Sequence, residues 1–225
     1  MKDGHRLNIR KRDKKSIAYR LAVIALLVVI ASFGAGCAAK KSDAGGGAAL
    51  DVKKRAMELY KRGNYEGSIA DLKAYLKERP EDYDAQVLLA SAYIVTGRTP
   101  EAYREAKKAY AIRKNPDVGY QLSLLADKLG KGDEAIGYLK ACVEERPKSI
   151  PFRTQLADFY FKYKKYDAAI AELNAVLKLL SKDSPSRPEI LRKLAAAYGA
   201  VGRSDKAAEF TAAAEKEQTP TPAGQ

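Results

Sequence analysis

From residue 49 to residue 216, apolar positions recur at helical spacing in short stretches, each broken by glycine or proline. Leu88, Leu89, Ala92 and Tyr93 fall three and four apart, as on one face of an amphipathic helix. Thr96 and Gly97 interrupt them, Glu101 to Ile112 resumes the pattern, and Asn115-Pro116 closes it. The same unit is written five times. Ser68, Ala102, Ala135, Ala169 and Ala207 stand at equivalent places, separated by 34, 33, 34 and 38 residues. The last interval is stretched by residues 181–188, a segment with two prolines. A fixed period of this length marks a repeat array, in which neighbouring units bury what no single unit can bury alone.

Each unit reads as two helices and a turn. Gly63, Gly97, Gly130 and Gly202 fit a residue that ends a helix in the left-handed region, where a Cβ is costly. The fourth unit has Lys164 there, a departure that costs turn stability. Asn115 is placed to cap the following helix, with Pro116 in its first turn. Arg79-Pro80 and Arg146-Pro147 stop second helices. Residues 217–225, with two prolines and no apolar pattern, read as a disordered tail.

The N-terminus follows a different grammar. Thirteen residues from Leu21 to Phe33 are apolar apart from Ser32, and eight Lys/Arg lie in the twenty residues before them. Basic start, short apolar run and small residues describe an export signal over 1–36. The run is shorter than the roughly 20 residues that span a bilayer as a helix. No charge appears from Leu21 to Ala39, so an uncleaved anchor is the alternative reading. The sequence Gly34-Ala35-Gly36-Cys37 resembles the lipobox of bacterial lipoproteins, with Gly34 where Leu is usual. That resemblance implies cleavage before Cys37 and lipid on its thiol. It also implies a place in the bacterial cell envelope, by preference at the outer membrane facing the periplasm. Residues 37–48, small and glycine-rich, then read as a flexible tether.

Composition narrows the chemistry. Of a formal charge of +13, the first twenty residues supply six, so the remainder is only mildly basic. The lysine pairs at 53–54, 107–108 and 164–165 interleave with acids as on a solvated face, and nucleic acid is not an expected partner. The one histidine is His5, and Cys37 and Cys142 are the only cysteines. No catalytic residue, cofactor site or metal site is expected from such a set. Cys142 sits at a small-residue packing position and reads as a buried apolar side chain.

The period and the small/large pattern resemble the tetratricopeptide repeat (TPR). The first unit supplies Ala56, Leu59, Gly63, Tyr65, Ser68, Leu72, Tyr75 and Pro80, and the other four supply their counterparts. The resemblance implies an all-α fold, a right-handed superhelical solenoid of about five helix-turn-helix repeats. Their bounds are about 49–82, 83–115, 116–149, 150–187 and 188–216. It also implies a concave groove, lined by the first helix of each repeat, that holds a protein or peptide partner. Carried over, the lining is Lys53, Met57 and Tyr60, then Val87, Ser91 and Ile94, then Tyr120, Leu124 and Asp127. The fourth repeat adds Thr154, Asp158 and Phe161, and the fifth Arg192. The Lys/Asn clamp by which some such proteins grip a peptide carboxylate is missing, because Met57 stands where Asn is needed. The resemblance implies a non-enzymatic scaffold, and lipoproteins of this shape resemble the pilotins of type IV pilus and secretin assembly. An accessory of outer-membrane β-barrel assembly and a single-pass inner-membrane protein are the alternatives.

Overall fold

The computed structural model describes residues 46–218. The signal segment 1–36, Cys37 and most of the tether and tail lie outside the described residues. The described chain is all-helical. It divides into two compact units, the first ending at Ile112 and the second beginning at Arg113.

The first unit holds α1 (Gly46–Lys61), α2 (Tyr65–Glu78), α3 (Tyr83–Val95) and α4 (Thr99–Ile112). The second holds α5 (Pro116–Lys128), α6 (Gly132–Glu145), α7 (Ile150–Lys162), α8 (Tyr166–Leu179), α9 (Arg187–Ala200) and α10 (Ser204–Gln218). These are five helix-turn-helix pairs. Within each unit, successive helices pack on one another in chain order, as a solenoid requires. α1 begins inside the segment read as tether, and α10 runs two residues into the segment read as tail. The Arg187 guanidinium, 3.2 Å from the Glu217 carboxylate, holds that last turn in place.

The turn inside each pair is built the same way five times. The residue in the left-handed region donates its N–H to a carbonyl three residues back, and the next residue reaches five back. Gly130 bonds to the Asp127 carbonyl (3.1 Å) and Lys131 to that of Ala126 (2.9 Å). The glycines hold φ between +74° and +78°. Lys164 makes the same turn, with its N–H on the Phe161 carbonyl (3.0 Å) and that of Lys165 on Tyr160 (2.7 Å). Its φ is +59°. Asn115 caps α5 through the N–H groups of Asp117 and Val118, with Pro116 in the first turn.

The core is the small/large pattern made solid. Ser68, Ala102, Ala135 and Ala169 are fully buried, which lets the paired helices cross closely. Leu72, Leu139 and Leu173 on the second helices and Leu122, Leu156 and Leu194 on the first helices are fully buried between them. Each such leucine stabilises the fold by about 1.5–3 kcal/mol relative to exposure. In the second unit Ile170, Leu173, Val176, Ile190, Leu194 and Tyr198 form one cluster, against which Phe210 packs. Cys142 on α6 is buried as well. It is 1% exposed, and its S–H donates to the Pro116 carbonyl at 3.2 Å. Burial, with the charge of Asp117 adding, pushes the thiol up to about 12.

Candidate functional site: the first-helix face

The two units treat their first-helix positions differently. In the first unit α3 is mostly apolar, and every residue from Ala85 to Ile94, including Gln86 and Ser91, is buried. A helix apolar on most of its sides is covered on most of them. Val87, Ser91 and Ile94 are therefore 6%, 3% and 7% exposed, and in this structure they are core rather than open lining. Ser91 satisfies its hydroxyl internally, donating to the Val87 carbonyl at 2.9 Å. Tyr60 is buried as well, its ring edge-on to Tyr65 at 5.2 Å. Met57 is half-buried.

Lys53 is half-buried and already engaged. Its ammonium sits 2.7 Å from the Asp82 carboxylate, which also accepts the Tyr75 hydroxyl (2.6 Å) and the Ala85 N–H at the start of α3 (3.0 Å). Burial raises the Asp82 pKa, but the hydrogen bonds from Lys53, Tyr75 and Ala85 outweigh it and leave the group below the usual carboxylate range. The lysine thus ties α1 to the head of α3.

In the second unit α5, α7 and α9 are joined by side chains about one repeat apart. The Tyr120 ring stacks on Phe152 at 5.7 Å, and its hydroxyl donates to Gln155 Oε1 at 3.3 Å. Burial, with the Asp158 charge adding, raises the Tyr120 phenol. Asp127 accepts from Lys162 Nζ (2.5 Å) and from the Tyr163 hydroxyl (2.7 Å). Asp158 accepts from Lys193 Nζ at 2.7 Å. The two acidic residues expected to meet a partner are thus neutralised by the next first helix, and they tie repeat to repeat.

What remains open is Leu124 and Thr154, both half-exposed, together with Phe161 and Arg192. Phe161 is 39% exposed. Thr154 Oγ1 is buried without a hydrogen-bond partner among the described residues. Arg192 opens into a cavity of about 800 Å³ between the 182–185 loop, α9 and α10, which Lys182, Glu189 and Glu217 also line. The lining residues left open in the second unit thus stand on α5, α7 and α9, with the Arg192 cavity on the side of α9 that faces α10.

Sequence reasoning missed Lys162, Tyr163 and Lys193. A signal existed: Asp127 and Asp158 each have a lysine 35 residues on, one repeat further along the same face. Among the described residues no group of His, Cys, Asp and Glu could hold a metal ion. No described helix is long and apolar enough to cross a membrane.

Two models of the tetratricopeptide repeat match the chain, over residues 53–118 and 128–184. Together they take in more than half of it, and the chain is a tetratricopeptide-repeat protein. Solved structures of the same fold agree. A crystal structure of MamA is 18% identical, over 77% of this chain and 93% of that one, with a TM-score of 0.68. A second MamA structure, of the AMB-1 protein, is 22% identical over 77% and 94%, with a TM-score of 0.65. YrrB, described as a TPR protein with an unusual peptide-binding site, is 22% identical over 76% and 86%, with a TM-score of 0.65. At these identities the likeness is one of fold.

Proposed function

We propose that the chain is a non-enzymatic scaffold whose second unit holds a segment of a protein partner against α5, α7 and α9. The observation that carries this reading is the contrast between the units. First-helix positions that α3 buries are left open on α5, α7 and α9 as Leu124, Thr154, Phe161 and Arg192. Apolar side chains left at a surface near an exposed cation are what a binding face needs. The peptide-binding site of YrrB, a protein of the same fold, supports the same use here.

In this reading the scaffold works at a bacterial membrane. The apolar run 21–33 directs export, and Cys37 carries the lipid that anchors the folded part. The scaffold then assists assembly or positioning of an envelope complex, with pilus and secretin assembly the favoured setting.

The test is a crosslinked pull-down of the full chain from membranes, compared with a Leu124→Ala/Arg192→Glu variant. The reading predicts that specific partners disappear from the variant. Identical partner sets would refute it. Cys37→Ser should release the protein from the membrane, and unchanged retention would assign the anchor to the 21–33 run itself.

A further inference from the structure

The turn between α7 and α8 reads Phe161-Lys162-Tyr163-Lys164-Lys165-Tyr166. Two independent observations converge on it. The first is backbone: four of the five equivalent turns use glycine, and this one holds an L-residue at φ +59°. That conformation is strained for any side chain with a Cβ. The second is surface: Phe161 is a large apolar side chain left 39% exposed, its ring edge-on to Tyr166 at 5.3 Å.

The charges sort themselves around this corner. Lys162 is spent on Asp127, and Lys165 on Asp133 at 2.9 Å. Lys164 is exposed and has no carboxylate partner among the described residues. The turn thus presents one uncompensated cation and an aromatic pair of which Phe161 is exposed and Tyr166 half-buried, and it presents the cation at a conformational cost that glycine would avoid.

Resting on the reading that the second unit binds a protein segment, we propose that Phe161, Tyr166 and Lys164 form the subsite that sets its chemistry. The occupant is an extended partner segment in which an apolar residue stands next to Asp or Glu. The apolar side chain packs on the Phe161–Tyr166 pair, and the carboxylate meets the Lys164 ammonium. A lone exposed ion pair contributes little, so the apolar anchor supplies most of the affinity and the lysine selects the neighbour.

The experiment uses the full chain and fluorescein-labelled short peptides pairing leucine or phenylalanine with Asp or Glu, against counterparts bearing Lys. Binding is read by fluorescence polarisation. The acidic–apolar peptides should bind in preference to the basic ones. Lys164→Gly, which restores the residue used by the other turns and so keeps the fold, should weaken them about two- to fivefold. Phe161→Ala should weaken them about tenfold. Added salt should reduce the wild-type preference.

Absence of binding, equal binding of the basic peptides, or an undiminished Lys164→Gly variant would each overturn the subsite. So would binding only to phosphatidylcholine vesicles that contain phosphatidylglycerol, which would make the corner a lipid contact. The Leu124→Ala/Arg192→Glu variant leaves this corner intact. Partners lost in that variant, with peptides indifferent to Lys164, would leave the scaffold reading standing and remove the subsite alone.

Discussion

Replacing Lys164 by glycine should make the protein more stable, which is unusual for a substitution that deletes a side chain. An L-residue in the left-handed region costs about 1–2 kcal/mol. Lys164 holds φ +59°, and its side chain is exposed, so the exchange forfeits little contact. Glycine's greater freedom in the unfolded chain takes back about 0.5–1 kcal/mol. The net expectation is a gain of about 0.5–1 kcal/mol, with the backbone hydrogen bonds of Lys164 and Lys165 unchanged. Lys164→Ala retains the Cβ and should stay within about 0.5 kcal/mol of the parent. Urea unfolding followed by circular dichroism measures the difference. Cys142 offers a second readout inside the same unit, because its buried thiol reacts only when the unit opens. In a Cys37→Ser background, Lys164→Gly should slow its labelling about two- to fivefold. A glycine variant no more stable than the alanine variant would refute the strain argument, and with it one of the two supports of the proposed subsite.

Three further outcomes follow from the packing. Ala102→Asp places a carboxylate at a fully buried helix crossing in the first unit. It should cost about 3 kcal/mol or more, seen as a lower melting temperature; a variant that melts like the parent would contradict the repeat alignment. Gly132→Ala would drive a Cβ into the Tyr163 ring and should cost about 1–3 kcal/mol in urea unfolding. In a Tyr163→Ala background that cost should vanish, and a cost that persists would disprove the contact. The hydroxyls of Tyr75 and Tyr163 are pushed up to about 12, by burial and by donation to Asp82 and Asp127. The folded state therefore keeps protons that the unfolded chain loses near 10. Their stabilisation is fully present below that pH and is lost as pH rises towards 12. Ultraviolet titration should show late-ionising phenols, one fewer in Tyr163→Phe, and complete ionisation near pH 10 with native dichroism would contradict this.

Much of the fold was legible because the repeat writes each structural need five times. The turn glycines, the small residues at the crossings and Asn115-Pro116 each act locally, so the sequence alone assigns them. The face was legible only in part. First-helix position predicts that Val87, Ser91 and Ile94 line a groove, but position does not say what lies over them. That depends on α3 being mostly apolar, a property its own hydrophobic pattern shows once burial on every side is considered. Asp127 and Asp158 read from position alone as facing a partner, whereas their carboxylates pair with lysines that come from the next repeat. The contact of Gly132 with Tyr163 joins adjacent repeats, and nothing in local spacing announces it.

The claim on which the rest depends is that a protein segment lies along α5, α7 and α9. Its most direct test is site-specific photocrosslinking in cells, with the probe at Arg192 or at Phe161 and, for comparison, at exposed Ala171 or Leu179 on α8. The account predicts a protein adduct from the first pair and none from the second. Adducts from α8 alone, or equally from both faces, would contradict it.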